Sequence, residues 1–213
     1  MSVFLSQRKM KMFYQPKNGH GLKHDPFKAI VSPRPIGWIA TRDKKRNVNL
    51  APYSFFNAIA DDPPMVIFCA NGDKDLNTKL KDSVSNIRQT REFVVNIVSE
   101  KLIQKMNLSS GVYPNETDEF VLADLKKGKS KIIDVPLVLD SPACLECKLF
   151  KFQKLPGRSN LLVIGEVVGV HINENYLTNG LFDILTYYPV ARLGYRDYTI
   201  VKNTFSLNRP NQK

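Results

Sequence analysis

Two stretches near the start of the 213-residue chain decide the fold: residues 32–41 read SPRPIGWIAT and residues 49–57 read NLAPYSFFN. Two prolines flank Arg34, and because proline fixes φ and lacks an N–H group, they should display the arginine from a stiff, extended backbone. The second stretch combines small residues, a hydroxyl, amides and two phenylalanines, which could lie against a flat polar heterocycle. A proline-rich loop with a hydrophobic plug explains these residues equally well.

The rest of the chain alternates short β-like runs with turn signals. Runs rich in Val, Ile, Phe or Trp predict strands at 36–41, 65–70, 93–98, 144–152 and 161–172. Helical spacing predicts helices at 78–89, from Ser99 as N-cap through Met106, and at 117–125. We expect the longest strand to bend at Gly165 and Gly169. Because strands outnumber helices without alternating strictly with them, the pattern favours an antiparallel barrel with peripheral helices over a doubly wound parallel sheet.

Several classes of protein are excluded or disfavoured by what the sequence lacks. It contains neither the glycine-rich dinucleotide motif nor the P-loop motif. Its three histidines are His20, His24 and His171, and no nucleophile-elbow motif accompanies them, which disfavours a hydrolase triad. The longest apolar runs are far too short for a membrane span. The sequence therefore predicts neither an integral membrane protein nor a P-loop enzyme.

The net charge is +11, and most of it lies at the two ends of the sequence. Residues 1–24 and 198–213 contain no acidic residue and together carry +8. Such ends can attract polyanions or membrane surfaces through a non-specific field. Solvated tails that aid solubility are the simpler explanation. We therefore predict no membrane partner and disfavour a nucleic-acid partner.

Three cysteines, Cys69, Cys144 and Cys147, do not form an even disulfide framework. The N-terminal apolar stretch is too short for a signal peptide, so we expect a reducing, cytoplasmic setting. Cys144 and Cys147 lie three positions apart in a predicted strand, which points their thiols to opposite faces. With no second Cys or His pair at ligand spacing, the sequence predicts a structural role for both and no metal site.

The order of these motifs resembles the flavin reductase-like family of FMN-binding split-barrel proteins. The resemblance begins with HDPFKAIVSPRPIGWIAT at residues 24–41 and covers residues from about 13 to 200 in order. Further matching segments are 49–57, 62–64 (DPP), 81–87 (KDSVSNI), 92–96 (EFVVN), 118–120 (DEF), 141–147 (SPACLEC), 163–172 (VIGEVVGVHI) and 189–195 (PVARLGY). A single short motif could not match over this length.

The resemblance implies one domain over residues 1–213, a mainly β, antiparallel split barrel of Greek-key type with peripheral helices. Basic terminal extensions are expected at about 1–12 and 201–213. The resemblance also implies a homodimer, in which FMN binds between the barrel of one chain and the partner chain of the dimer. Such proteins use NADH or NADPH to reduce flavin, or carry FMN as an electron-transfer group. The implied further partner is an electron-accepting protein or a monooxygenase.

The resemblance also implies the site residues. Flavin contacts are expected from Ser32, Pro33, Arg34, Trp38, Asn49, Ala51, Pro52, Ser54, Phe55 and Asn57. The phosphate end is expected at Lys81, Asp82, Ser83 and Asn86. Because hydride transfer between cofactors requires no obligate acid or base, His171 and Arg192 are candidates for charge stabilisation or nucleotide contact only.

Two segments depart from the family pattern. The turn at residues 43–47 lacks the usual glycine, and Asn47 is expected to supply the positive φ that keeps a hairpin possible. The segment 72–80 is longer than usual, and it is expected to extend the following helix or to form a lid. The second possibility makes the phosphate assignment less direct.

Three functions remain open at this point. The favoured one is an NAD(P)H-dependent FMN reductase. The first alternative is an FMN-containing electron carrier or binding module without nicotinamide oxidation. The second is a split barrel with a vestigial flavin site, whose basic ends bind nucleic acid with strong salt dependence.

Overall fold

The computed structural model describes residues 12–72 and 80–210 and is built around antiparallel strands. The strands are β1 (Arg34–Pro35), β2 (Gly37–Arg42), β3 (Val48–Tyr53), β4 (Phe56–Asp61), β5 (Pro64–Asn71), β6 (Glu92–Asn96), β7 (Lys127–Gly128), β8 (Leu137–Val138), β9 (Ala143–Lys154), β10 (Asn160–Ile172), β11 (Leu177–Thr178), β12 (Leu181–Phe182), β13 (Val190–Arg192) and β14 (Tyr198–Ile200). The helices are α1 (Phe27–Ile30), α2 (Asp82–Thr90), α3 (Ile103–Leu108) and α4 (Glu119–Leu122). The expected mainly β fold with peripheral helices is confirmed.

Seven strands form the main sheet in the order β3-β2-β6-β9-β10-β5-β4. Every neighbouring pair in it is antiparallel. Its two outer strands, β3 and β4, are consecutive in the chain and are joined by only Ser54 and Phe55. This short connection brings the two edges of the sheet together, as in a split barrel. A second sheet, β1-β13-β14, sets Arg34 beside Arg192.

The central strands are buried on both faces. Trp38 and Val94 belong to one hydrophobic cluster, whereas Ile39 and Val95, next to them in sequence, belong to another. The cysteines follow the same alternation, because Cys144 packs in the first cluster and Cys147 in the second. The prediction that the two thiols face opposite sides is therefore confirmed. Burial raises the pKa of Cys144 to about 12 and that of Cys147 further, which suits a structural role.

Helix boundaries differ in detail from those expected. Ser99 precedes a short 3-10 turn, Glu100–Leu102, and α3 follows it, but the Ser99 hydroxyl makes no capping hydrogen bond. The helix expected at 117–125 is only the four residues of α4, capped by Asp118, whose carboxylate accepts from two backbone N–H groups. None of the described helices is long and apolar enough to cross a membrane.

The hairpin between β2 and β3 forms without a glycine, but the expected turn residue was wrong. Arg46, with φ of 74°, adopts the left-handed conformation in place of Asn47. Asn47 instead donates its backbone and side-chain N–H groups to the Asp43 carboxylate at 2.8 and 2.9 Å. The carboxylate thus closes the turn, and this local bonding offsets the cost of a positive φ at a non-glycine residue.

Other expectations concern residues that the structure does not describe. The basic N-terminal extension lies outside the described residues except for Met12, and the C-terminal extension is described only over 201–210, where there is no helix or strand. Of the long segment 72–80, only Gly72 and Leu80 are described. The expected helix extension or lid stays a prediction.

The longest strand, β10, changes register at the two glycines singled out from the sequence. Register shifts occur between Ile164 and Gly165 and between Val167 and Gly169. A Cβ atom at Gly165 would collide with the ring of Phe93, which is fully buried and packs edge-on against Phe68. Glycine is therefore required at this position by the close approach of the aromatic core.

Gly165→Ala should lower the free energy of unfolding by about 1–3 kcal/mol, because a buried ring has no free space into which to move. Urea unfolding measures this difference. Gly169→Ala is the matched control, since its added Cβ would meet the Ile132 Cδ1 atom at 3.1 Å and Ile132 is 53% exposed and can shift. Equal losses in the two variants would contradict the packing argument.

Candidate functional site

A cleft opens between β3 and the start of α2. It has a volume of about 250 Å³. Four groups of residues line it: Asn49, Ala51, Pro52 and Tyr53 from β3; Lys81, Asp82 and Ser83 at α2; Ser109, Ser110, Gly111 and Val112 after α3; and Asn71 and Glu119. Its walls are therefore largely polar but carry few charges.

The cleft continues past Pro52 into two further recesses, of about 230 and 310 Å³. Pro52, Ser54 and Arg192 line both recesses, which joins them into one elongated site. The first recess is strongly basic, because its described lining residues include four cations and no carboxylate. These cations are Lys28, Arg34, Lys81 and Arg192.

Burial and neighbouring positive charges destabilise the charged forms of Lys81 and Arg34 in the basic recess. Burial lowers the pKa of Lys81, and the charge of Lys28 lowers it further. Burial likewise lowers the pKa of Arg34, with a further contribution from Arg192. A bound anion would relieve both the desolvation and the repulsion. The recess is therefore suited to a negatively charged group.

Helix α2 adds backbone donors to the same region. Lys81 is its N-cap residue and makes no side-chain capping hydrogen bond. The Lys81 ammonium lies 5.5 Å from the centre of the Tyr53 ring, which places it over the cleft wall. The first N–H groups of a helix carry partial positive charge, so this end of the cleft combines a lysine with a favourable helix dipole.

Arg34 is held inward, contrary to the expectation that the prolines would display it. It is only 7% exposed, and its guanidinium donates to the carbonyl oxygens of Lys28, Val31 and Leu193. The same group lies 5.7 Å from the centre of the Phe55 ring. Arg34 thus ties the N-terminal segment to the loop after β13 and supports the aromatic wall of the recess.

A buried hydrogen-bond chain lies in the cleft wall formed by β3 and α2. Tyr53 donates to Ser83 Oγ at 3.1 Å, and Ser83 donates to Asn49 Oδ1 at 2.9 Å. Asn49 Nδ2 donates to Glu119 Oε1 at 3.0 Å, and the Leu50 N–H donates to Glu119 Oε2 at 2.9 Å. Burial raises the pKa of Glu119, while these donors oppose that shift. The chain fixes the side chains that face the cleft.

Most residues expected in the site are brought together. Arg34, Asn49, Ala51, Pro52, Ser54, Phe55, Lys81, Asp82, Ser83 and Arg192 all line the connected cleft. Arg192 lies over the Tyr198 ring, 4.4 Å from its centre, and donates to the Tyr195 carbonyl at 2.7 Å. The candidate role of Arg192 in the site stays a prediction, now with a suitable position.

Five of the residues expected to contact the flavin, and the candidate His171, are not among those that line the cleft. Trp38 is fully buried and donates its indole N–H to Ser109 Oγ at 2.8 Å, so it supports the cleft only through Ser109. Asn86 is buried and donates to Thr41 Oγ1, and Asn57 is exposed on β4. Ser32 and Pro33 are exposed, and the Ser32 hydroxyl donates to the Ala29 carbonyl.

His171 lies apart from the cleft lining. Its Nε2 atom is 2.5 Å from Glu146 Oε1, and Glu146 is fully buried. The same carboxylate accepts the backbone N–H groups of Lys131, Ile132 and Ile133. Burial alone would raise the pKa of Glu146, but these donors and His171 hold it below its ordinary value. The pair therefore anchors the loop at 131–133 to the barrel.

Sequence reasoning missed several lining residues. Tyr53 lies inside the stretch 49–57 and Glu119 inside the DEF segment, so both stood in motifs that were noticed but not assigned. Ser109, Ser110 and Gly111 follow α3, and a Ser-Ser-Gly run after a predicted helix could have been recognised as a polar turn. Their position against β3 could not be read from local pattern.

Comparison with known proteins gives consistent results. A family described as flavin reductase-like domain matches residues 31–192. A protein of Aquifex aeolicus, described as uncharacterized, is 37% identical over 79% of this chain and 85% of its own length. Nitrilotriacetate monooxygenase component B from Bacillus cereus has a TM-score of 0.84 and 27% identity, covering 93% of this chain and 99% of that chain. The 2-nitrobenzoate 2-nitroreductase of Pseudomonas fluorescens has a TM-score of 0.77 and 28% identity, covering 87% and 89%.

Glu146→Gln should lower the free energy of unfolding by about 1–3 kcal/mol near pH 7, because the amide N–H₂ group would face backbone donors. Since the folded-state pKa of Glu146 is depressed, its stabilisation is present above the ordinary glutamate pKa and is lost as the pH falls through the folded value. Urea unfolding at several pH values measures this dependence.

Glu166→Gln, in the neighbouring strand β10, is the matched control and should change the free energy of unfolding by less than about 0.5 kcal/mol. A Glu146→Gln protein as stable as the unmodified protein would contradict the anchoring role.

Proposed function

The chain belongs to the flavin reductase-like family, and from this we propose that it binds FMN in the cleft and reduces it with NADH or NADPH. A flavin-related function is supported by the family match over residues 31–192. The observation that carries the finer proposal is the basic recess, where four cations and no described carboxylate line one end of a largely polar cleft. A flavin phosphate has the charge that this recess would accommodate.

The residues present fit the mononucleotide. Lys81 and the first backbone N–H groups of α2 would hold the phosphate, since a lysine and helix N–H groups are common phosphate partners. The segment from Ala51 to Phe55 would lie along the ring, with backbone groups for its polar edge and Phe55 for its apolar part. The conformation of Phe55 is supported by the Arg34 guanidinium.

Bound flavin would supply the redox chemistry by accepting a hydride from the nicotinamide. The protein's residues have to position both rings, exclude bulk water and favour the negative charge that develops on reduction. Arg192 suits the last task, because it lines both recesses and its guanidinium is held by Tyr195 and Tyr198. None of these roles requires a general acid or base.

We also propose a homodimer of single-domain chains that passes electrons to another protein. The exposed side chains of Phe205 and Leu207, at 85% and 83%, lie on the segment that follows β14, which a second copy could cover. An electron-accepting monooxygenase is supported by the neighbour named as a monooxygenase component. Size-exclusion chromatography with light scattering measures the oligomeric state directly.

Anaerobic titration of the protein with FMN, followed by NADH and then NADPH, tests the reductase proposal. We expect catalytic bleaching of the flavin absorbance by at least one nucleotide. Arg192→Ala should lower the kcat of bleaching with that nucleotide, whereas His171→Ala should leave it unchanged, because His171 is paired with Glu146 away from the cleft lining.

Other outcomes of this titration distinguish the alternatives. Bound flavin that resists both nucleotides but bleaches with dithionite would identify an electron carrier or binding module. A protein that binds no FMN but binds DNA in a salt-dependent manner would contradict the proposal and support a vestigial flavin site.

Lys81→Met should weaken FMN binding by about 10- to 100-fold, the effect expected for losing one charge-assisted hydrogen bond to phosphate. Riboflavin, which lacks the phosphate, should bind the variant and the unmodified protein equally. Flavin fluorescence quenching measures both affinities.

Lys151→Met removes an exposed lysine on β9 and is the matched control for the change in net charge. If it weakened FMN binding as much as Lys81→Met, general electrostatic attraction would explain the effect and Lys81 would not be a phosphate ligand.

A further inference from the structure

The cleft wall formed by β3 and α2 contains a hydrogen-bond chain whose direction is fixed by one carboxylate. The Leu50 N–H can only donate, so Glu119 Oε2 has to accept from it, and Oε1 accepts from Asn49 Nδ2. With its nitrogen turned to Glu119, Asn49 presents Oδ1 to Ser83, which therefore donates. Ser83 Oγ then accepts from the Tyr53 hydroxyl. An ionised Glu119 thus permits only one arrangement of hydrogens.

A proton on Glu119 would reverse this arrangement. The chain reverses when the proton lies on Oε1, which leaves Oε2 to accept from Leu50 as before, and Oε1–H then needs an acceptor. A half-turn of the Asn49 amide supplies its Oδ1 atom and leaves the shape of the side chain unchanged. Asn49 Nδ2 then donates to Ser83, and Ser83 donates to Tyr53. The Tyr53 hydroxyl hydrogen loses its acceptor within the chain.

Burial makes the members of the chain depend on one another. Glu119, Asn49, Ser83 and Tyr53 are exposed by 4%, 7%, 1% and 6%, so water has little access to replace a lost partner. An unpaired buried donor or acceptor is costly, and a chain of this kind therefore changes as a unit. Burial also raises the pKa of Tyr53 to about 12, so its hydroxyl keeps its hydrogen in both arrangements.

The charges around Glu119 favour uptake of a proton above the ordinary range of a glutamate. Burial raises the pKa of Glu119 and the nearby carboxylate of Asp82 on α2 raises it further, against the hydrogen bonds from Leu50 and Asn49. Lys81 lines the same cleft from α2. On the other side, Asp118 is paired with Lys127, and the described β3 residues that face Glu119 are uncharged.

We propose that protonation of Glu119 reverses the chain Glu119–Asn49–Ser83–Tyr53 and thereby turns the Tyr53 hydroxyl hydrogen toward the cleft ligand. The proton comes from water, and only side-chain rotations follow, so no covalent bond other than the new O–H is made in the protein. The proposal rests on the proposed function only in naming FMN as the ligand. Glu119 is a positioning residue in this scheme, and Tyr53 is the group that meets the ligand.

NMR of selectively labelled protein, recorded without FMN as the pH is varied, tests the reversal. The Glu119 carboxyl carbon, the Asn49 side-chain amide and the Tyr53 ring carbon bonded to oxygen should change with one common midpoint, above the usual glutamate pKa of about 4.3. Glu119→Gln should abolish all three changes. In Ser83→Ala, Glu119 and Asn49 should still titrate, but Tyr53 should no longer follow.

Ser110→Ala is the matched control, because Ser110 lines the same cleft but donates to the Asn107 carbonyl outside the chain. It should leave all three signals titrating together. A Tyr53 signal that follows Glu119 in Ser83→Ala would overturn the proposal, as would an Asn49 amide that keeps its orientation across the midpoint.

FMN affinity measured on both sides of the midpoint tests the ligand-facing step. Protonation should strengthen binding by about 2- to 10-fold through the added donor, and Tyr53→Phe should remove this difference. If FMN binds with the same affinity on both sides, the ligand-facing step is wrong while the proposed function stands. If FMN does not bind at any pH, the proposed function fails, and the titration without FMN still decides whether the chain reverses.

Discussion

Strand β3 packs into the hydrophobic core with one face and lines the cleft with the other, and the candidate site depends on this constraint. Successive residues of a strand point to opposite faces, so Val48 and Leu50 enter the hydrophobic cluster that contains Trp38. Asn49 and Ala51, on the other face, line the cleft. Packing of one face fixes the position of the other, and the cleft wall is therefore as rigid as the barrel core that supports it.

Closure of the barrel produces the cleft. The outer strands β3 and β4 are joined by two residues. At this corner the chain lies beside the N-terminal segment and the β1-β13-β14 sheet. Arg34 holds these parts together through carbonyl oxygens from before β1 and after β13. The sequence elements that meet at the site are thus far apart in the chain, and one buried guanidinium links several of them.

The sequence was sufficient for the parts of the fold that local pattern controls. Both-face burial gave β6 the apolar run 93–95, and the two glycines of β10 marked its register shifts. The turn after β2 was misassigned because hydrogen bonds to Asp43, and not residue preference, decide which residue takes the positive φ. The family resemblance implied that Trp38 contacts the flavin, whereas its side chain is fully buried; an aromatic residue on a strand gives no local indication of the face that it occupies.

The hydrogen-bond chain Glu119–Asn49–Ser83–Tyr53 could not be predicted from sequence pattern, because Glu119 bonds to residues about 70 positions away. Its presence also explains why a carboxylate can be tolerated in a cleft that is otherwise suited to an anion. Glu119 directs both oxygens to donors in the protein, whereas burial and the charge of Lys28 lower the pKa of Lys81 in the basic recess. An anionic ligand therefore gains by lying against Lys28 and Lys81 and not against the Glu119 carboxylate. This polarity orients a molecule that carries its charge at one end, before any specific contact with its ring is formed.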